Sequence, residues 1–82
     1  MKMDKKEYLL IKNELEKHVD KIKEYIPKLK EQGNYDNFEV RLSFDCYYQL
    51  IPREIKRSLS DELNDKHLFT GLKKALKELE IL

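Results

Sequence analysis

The chain has 82 residues, of which 40% are charged, and its 17 lysines and arginines nearly balance its 16 aspartates and glutamates, giving a formal net charge of +1. A chain of this length forms one domain, here residues 1–82, and buries roughly 60% of the surface that its unfolded form exposes. The charge balance predicts a soluble surface and argues against a general binder of polyanions. With two glycines in all, the chain cannot build a P-loop, a dinucleotide-binding loop or a nucleophile elbow.

The cysteine content indicates the cellular compartment. Cys46 is the single cysteine of the chain, so it cannot form an internal disulfide, which is typical of a protein from the reducing cytoplasm. The longest early apolar run, residues 8–11, is too short for a signal peptide or a membrane span. We therefore expect a cytoplasmic protein that does not associate with a membrane.

The first third of the chain has the pattern of an amphipathic helix. Asp4 and Glu7 have the spacing of a capping box, in which the aspartate caps the helix and the glutamate reaches back. Apolar residues then recur at spacings of three and four in one stripe: Tyr8, Ile11, Leu15, Val19, Ile22, Ile26 and Leu29. Because Pro27 lacks a backbone donor, the helix is expected to stop near Tyr25, or to kink there and run one more turn. Gly33-Asn34 predicts its end.

The middle of the chain has two opposing patterns. Residues 38–46 alternate apolar and polar side chains, which is the pattern of a half-buried strand. Asp36 and Glu39, however, repeat the helix start signal, and Pro52 supplies a natural stop. A strand here would find no second strand-like run in the chain, so its backbone groups would stay unpaired. We expect a central helix contacted on several sides, with a strand over residues 38–45 as the alternative.

Two further helices are predicted in the last third. Pro52 suits the first turn of a short helix, residues 52–59. A last helix that begins near Asn64 or Asp65 places its apolar residues on one face: Leu68, Leu72, Ala75, Leu76 and Leu79. Gly71 lies inside this helix, where glycine costs about 1 kcal/mol relative to alanine, and a close helix crossing would explain its presence. The sequence thus predicts a compact all-α bundle of three to four helices.

The usual catalytic and metal-binding patterns are missing. Glu14 and His18 lie one helical turn apart, but a metal site needs more donors than these two residues supply. We interpret both as solvated residues that flank the apolar stripe. Cys46 lies among aromatic residues, where a buried and inert thiol is expected. We therefore expect no catalytic residues, no metal and no cofactor, and a protein that is not an enzyme.

The residues that best indicate a contact surface are two tyrosines and a set of basic residues. Tyr47 and Tyr48 are adjacent, so they cannot point the same way on a helix, and one of them is expected to be exposed. Arg53, Arg57 and Lys73 belong to a basic set in the second half of the chain. We predict that these five residues bind a partner. The predicted function is stoichiometric association with a larger protein or complex, as a regulator, adaptor or inhibitor, and the small size is typical of proteins encoded by phages and mobile elements.

A dimeric DNA-binding regulator is the alternative function. Residues 40–43 followed by a helix resemble the ribbon-helix-helix repressors, a likeness that covers residues 38–82 and implies a homodimer with paired strands in the major groove. Residues 52–56 and 75–82 resemble the helix pairs of winged-helix regulators. Two of the four outward strand residues in the first likeness are acidic, which is unfavourable beside DNA phosphates: Glu39, Arg41, Ser43 and Asp45. The sequence assigns the chain to neither family.

Overall fold

The computed structural model describes residues 3–33 and 38–82, and these residues form five helices. The helices are α1 (Lys5–Glu16), α2 (Val19–Glu31), α3 (Phe38–Leu50), α4 (Arg53–Arg57) and α5 (Asp65–Glu78). The predicted all-α fold is confirmed, and the alternative strand over residues 38–45 is wrong. Within the described residues there is no strand, and none of their helices combines the length and the apolar character needed to cross a bilayer.

The predicted first helix is divided into two, and the break lies at Lys17 and His18. The expected stop near Tyr25 is wrong, because α2 continues through Pro27 to Glu31, as the alternative of a helix that runs on past Tyr25 requires. A straight helix over residues 5–31 would be about 40 Å long, whereas the longest dimension of the molecule is 34 Å. With the break, stripe residues of both helices, such as Leu15 and Ile22, belong to one buried core. Gly33 has a φ of +76°, as expected for a helix stop, while Asn34 and the start signal at Asp36 lie outside the described residues.

The N-terminus of α1 is held by the predicted capping box. The Asp4 carboxylate accepts a hydrogen bond from the Glu7 amide at 2.7 Å, and the Glu7 carboxylate accepts one from the Asp4 amide at 3.2 Å. The second oxygen of Glu7 accepts a hydrogen bond from the backbone amide of Ser60, in the segment between α4 and α5. Glu7 is only 6% exposed. A single buried carboxylate therefore ties the start of α1 to a residue 53 positions away.

Helix α3 is central, as expected, but one of its sides stays uncovered. It packs against α1, α2 and α5, with Leu42, Ser43 and Cys46 buried. The Ser43 hydroxyl donates a hydrogen bond to the carbonyl of Glu39 at 2.8 Å, which satisfies a buried polar group. A helix pairs its backbone within the segment, which a lone strand could not do. The alternating apolar residues are thus shared between the core and one outer side.

Helix α5 is the other central element, because it packs against both α1 and α3. It begins one residue after its cap, Asn64, whose side chain accepts a hydrogen bond from the His67 amide at 3.0 Å. The start near Asn64 or Asp65 is therefore confirmed. The core draws on α1, α2, α3, α5 and the residue before Pro52: Ile11, Leu15, Ile22, Leu29, Leu42, Cys46, Ile51, Leu68, Leu72, Ala75 and Leu76. Helix α4 is shorter than the predicted residues 52–59 and contains no buried residue.

The close approach expected at Gly71 comes from a side chain, and not from a crossing helix. A Cβ atom built on Gly71 would lie 2.7 Å from the sulfur of Met3, and its nearest neighbours are all Met3 atoms. Gly71 itself is buried. Methionine is unbranched and adaptable, so its thioether can move to make room.

We accordingly expect Gly71→Ala to stabilise the domain slightly, by up to about 1 kcal/mol, because alanine is the better helix former and Met3 can shift. Urea unfolding of the two proteins measures the difference. When Gly71→Ala is made in a chain that also carries Met3→Ala, the Met3 side chain no longer opposes the new methyl group. The gain in unfolding free energy from Gly71→Ala should then reach its full value. A loss of more than about 1 kcal/mol in Gly71→Ala would show that Met3 is held rigidly.

Candidate functional site

The uncovered side of α3 carries apolar side chains at helical spacing. Val40, Phe44 and Tyr48 lie at positions i, i+4 and i+8, so they form one row along the helix. Val40 is 43% exposed and Tyr48 is 65% exposed. The row is about 12 Å long, at 1.5 Å per residue. Phe44, between Val40 and Tyr48, is half-buried and packs against the core. Apolar side chains that form one continuous exposed patch mark a contact surface more often than scattered ones do.

An aromatic stack extends this row to the neighbouring helix. The Phe44 ring stacks on Tyr48, with centroids 6.4 Å apart, and on Phe69 of α5, with centroids 6.2 Å apart. The Tyr47 ring meets Tyr48 edge-on at 5.4 Å. Such pairs are worth about 0.5–1.5 kcal/mol each beyond the area they bury. Val40, Phe44, Tyr47, Tyr48 and Phe69 are hereafter the aromatic face, which spans the seam between α3 and α5.

A lysine lies at each end of the aromatic face. The ammonium of Lys56, on α4, lies 4.8 Å from the Tyr47 ring centroid and 5.4 Å from that of Tyr48. It also donates a hydrogen bond to the Tyr48 carbonyl at 3.4 Å, at the negative end of the α3 dipole. At the other end, Lys73 lies 5.9 Å from the Phe69 centroid. These contacts hold cations over ring faces, where the quadrupole attracts them.

Lys73 also forms an ion pair across the seam. Its ammonium lies 2.9 Å from the Glu39 carboxylate on α3. A hydrogen bond from Lys73 lowers the pKa of the Glu39 carboxyl below its ordinary value, with a smaller opposing effect of desolvation. The pair joins α3 to α5 beside the aromatic face. Its partial exposure leaves it able to exchange partners when another charged surface approaches.

The structure places the five predicted contact residues on α3, α4 and α5. Tyr48 is exposed and Tyr47 is half-buried, which confirms the expectation that one of the pair faces solvent. Arg53 and Arg57 are exposed one turn apart on α4, and neither forms an ion pair with a residue of 3–33 or 38–82. Lys73 lies at the opposite end of the aromatic face. Tyr47, Tyr48 and Lys73 therefore belong to or border this face, whereas Arg53 and Arg57 share only a helix, α4, with Lys56, which covers Tyr47.

Sequence reasoning missed three members of the aromatic face. Val40 and Phe44 were assigned to a helix surrounded by neighbours, although their spacing with Tyr48 was sufficient to define one row. Phe69 is separated from Phe44 by 25 positions, and only the packing of α5 against α3 brings the rings together. No local pattern in the sequence could have paired them.

The side of α3 next to this row, which faces α2, is different in character. There the Tyr25 hydroxyl of α2 donates a hydrogen bond to the Asp45 carboxylate at 2.6 Å, which raises the pKa of Tyr25, and Arg41 lies 3.6 Å from the same carboxylate. A groove of about 200 Å³ lies beside them, with Cys46 among its lining residues. This volume is smaller than the roughly 300–1,000 Å³ typical of small-molecule sites.

The Cys46 thiol is expected to resist alkylation. Burial is the main reason that its pKa rises from the ordinary 9.0 to about 12, with a smaller contribution from the charge of Asp45. At pH 8 the native protein should react with iodoacetamide roughly a thousandfold more slowly than the unfolded chain, because the thiolate is correspondingly scarcer. Mass spectrometry of timed samples, with and without urea, measures both rates. Comparable rates in the two states would contradict a buried thiol.

The raised pKa of Cys46 also makes the stability of the folded domain depend on pH. Because the folded state keeps the thiol proton to a higher pH than the unfolded chain does, this contribution is complete below about pH 9 and is lost as the pH rises toward 12. Cys46→Ala should reduce the alkaline loss in urea unfolding curves. An identical alkaline profile in the variant would assign the loss to other groups.

Comparison with known proteins provides no relative from which a function could be transferred. No protein-family model, no curated protein and no solved structure matches this chain. The fold and the surface together define a class: a small helical domain that presents an aromatic face with cations at both ends. The particular role of this chain is therefore argued from the face itself.

Proposed function

We propose that this chain is a non-enzymatic binding protein that associates stoichiometrically with a larger protein through its aromatic face. The observation that carries the proposal is the exposure of Tyr48, at 65%, in a row that continues into stacked aromatic rings. Tyrosine is enriched at the centres of protein interfaces, because it combines apolar area with a polar tip. A regulator, an adaptor or an inhibitor would act on its partner by occupying such a contact.

The packing of the face supports a protein as the partner. Phe44 and Phe69 stack on one another, and Lys56 covers Tyr47, so the rings form a largely preformed platform. A preformed surface loses little conformational entropy on binding. The cations at the two ends would form the polar rim that surrounds the apolar centre of many interfaces.

A photo-crosslinker at position 48 tests the proposal. Benzoylphenylalanine replaces Tyr48 in the chain, which is then expressed in its own cellular background and irradiated. We expect one discrete adduct with a larger protein. The matched control carries the crosslinker at Leu9, which is also a large exposed apolar residue, at 40%, but lies on α1. The proposal is overturned if position 48 gives no adduct, or if positions 48 and 9 give adducts in equal yield.

The affinity of the captured partner then gives a quantitative check. Tyr48→Ala should weaken binding by about thirtyfold or more, as expected for an aromatic residue at an interface centre. Leu9→Ala should change it less than twofold. Circular dichroism of both variants should be unchanged, since neither side chain belongs to the core. Equal affinities of the two variants would exclude Tyr48 from the interface.

The same experiment separates the alternatives. If the single adduct has twice the chain mass of 10.0 kDa, the partner is a second copy of this chain and not a larger protein. The DNA-binding prediction loses its strand-based form, since residues 38–50 are helical. In its helix-turn-helix form it predicts duplex binding that weakens steeply with salt. A chain that does not bind duplex DNA at low salt would remove it.

A further inference from the structure

We propose that the exposed side of α5 is a lysine ridge that binds an acidic segment of the partner docked on the aromatic face, a proposal that rests on the proposed function. The ridge consists of Lys66, Lys74 and Lys77, all exposed and all on the side of α5 that faces away from the core. It runs beside Phe69 and Lys73, which belong to or border the aromatic face. The two surfaces are therefore adjacent on one helix.

The ridge follows from the periodicity of α5. The buried residues of this helix take one side: Leu68, Gly71, Leu72, Ala75 and Leu76. The three lysines share the other side of the helix, with Lys66 about two turns before Lys74 and Lys77 three residues after it, over about 16 Å of helix. A shallow depression joins two of them, Lys74 and Lys77, to the aromatic face, and its lining also includes Phe69, Thr70, Lys73 and Glu78.

The three ridge lysines form no direct ion pair in the described part of the chain, although two of them act on nearby carboxylates. The pKa of Glu39 is lowered chiefly by the hydrogen bond from Lys73 and less by the charge of Lys77, and that of Glu78 chiefly by the hydrogen bond from Lys12 and less by the charge of Lys74. No carboxylate of residues 3–33 or 38–82 lies within 4.0 Å of their ammonium groups. The carboxylates on either flank are engaged elsewhere, since Glu39 pairs with Lys73 and Glu78 pairs with Lys12, both at 2.9 Å. Lys74 lies 5.0 Å from the centroid of the Tyr8 ring. The ammonium groups of the ridge therefore remain outside any direct ion pair and can bind a further carboxylate.

Charge complementarity selects an acidic partner segment. Aspartates or glutamates along one face of a helical segment could meet Lys66, Lys74 and Lys77, which are eight and three positions apart on one side of α5. A second copy of this chain would bring its own ridge, and two rows of like charge repel each other. The occupant we infer is thus a carboxylate-bearing segment of another protein.

The borders of the ridge disfavour nucleic acid as the occupant. A helix in the major groove has a phosphate backbone along both flanks, and here both flanks hold carboxylates, Glu39 and Glu78. Phe44, Tyr48 and Phe69 already stack on one another, which leaves fewer free ring faces than a platform for successive bases requires. The exposed apolar row beside the ridge also suits a protein surface better than a phosphate chain.

Titration with poly-L-glutamate at low salt tests the ridge, with backbone amide NMR as the readout. We expect shift changes at Lys66, Lys74 and Lys77, and about tenfold weaker binding after all three are changed to glutamate. The control reverses three exposed lysines of α2 instead: Lys21, Lys23 and Lys28. It should bind as the unmodified chain does. Equal losses in both variants, or no shift at the ridge, would overturn the proposal, as would tighter binding of a 20-base-pair duplex at the same salt.

The crosslinker at position 48 separates this proposal from the proposed function. When the ridge is reversed, we expect the yield of the partner adduct to fall by about tenfold, whereas reversal on α2 leaves it unchanged. An adduct that forms equally well with the ridge reversed would overturn the ridge and keep the aromatic face. If no variant forms an adduct, the proposed function is overturned, and the docking role of the ridge is overturned with it.

Discussion

Leu72→Ala is expected to destabilise the domain by about 3–4 kcal/mol, the largest single effect we predict. Leu72 is fully buried in α5, the helix that packs against both α1 and α3. Removing its branched end leaves a cavity that neither neighbour can fill without moving, so dispersion contacts are lost together with the burial of apolar surface. Urea unfolding measures the change, and a small domain with roughly 5–15 kcal/mol of stability should remain folded in water.

The control for this prediction is Leu9→Ala. It deletes the same atoms from a leucine on α1 that is 40% exposed, so we expect a change within about 0.5 kcal/mol. The unfolding slope should be the same for both variants, because neither alters the surface exposed on unfolding. Equal destabilisation by the two substitutions would contradict the assignment of Leu72 to the centre of the core.

Glu7→Ala is expected to destabilise the domain by about 2–3 kcal/mol, far more than is usual for a glutamate. The carboxylate of Glu7 accepts hydrogen bonds from the backbone amides of Asp4 and Ser60. Its removal opens one half of the capping box and leaves the Ser60 amide without this acceptor. Because Ser60 lies between α4 and α5, the loss should also release the start of α5 from α1.

Two further variants distinguish the mechanism at Glu7. Glu7→Gln keeps one acceptor oxygen but brings an NH₂ donor toward a backbone donor, so its effect should lie between those of wild type and alanine. Glu16→Ala, on the same helix but exposed, should change stability by less than about 0.5 kcal/mol. If Glu7→Ala is as mild as Glu16→Ala in thermal or urea unfolding, the tie between α1 and Ser60 does not contribute.

The features that sequence predicted well are local. Asp4 and Glu7 define a helix start within four residues, and Asn64 does the same for α5, because capping hydrogen bonds join neighbours. The helix over residues 38–50 is harder to predict, since the alternating pattern favours a strand. The helical state was decided by the absence of a pairing partner, which is a property of the whole chain.

The features that sequence did not predict depend on tertiary packing. The break at Lys17 and His18 has no local signal, and it leaves stripe residues on both of its sides, such as Leu15 and Ile22, in one buried core. Phe69 reaches the aromatic face only through the packing of α5 on α3. The bond between Glu7 and Ser60 joins positions 53 apart. In each case the determining interaction connects segments that the sequence alone could not place together.

The most direct test of the aromatic face is the footprint of the partner on the labelled chain. Backbone amide spectra are recorded alone and after adding the protein captured at position 48. We predict that the largest shift changes lie in α3 between Val40 and Tyr48 and in α5 between Lys66 and Lys77, with little change in α2. A footprint centred on α2, or one that spares α3, would contradict the proposal that this uncovered side is where the molecule acts.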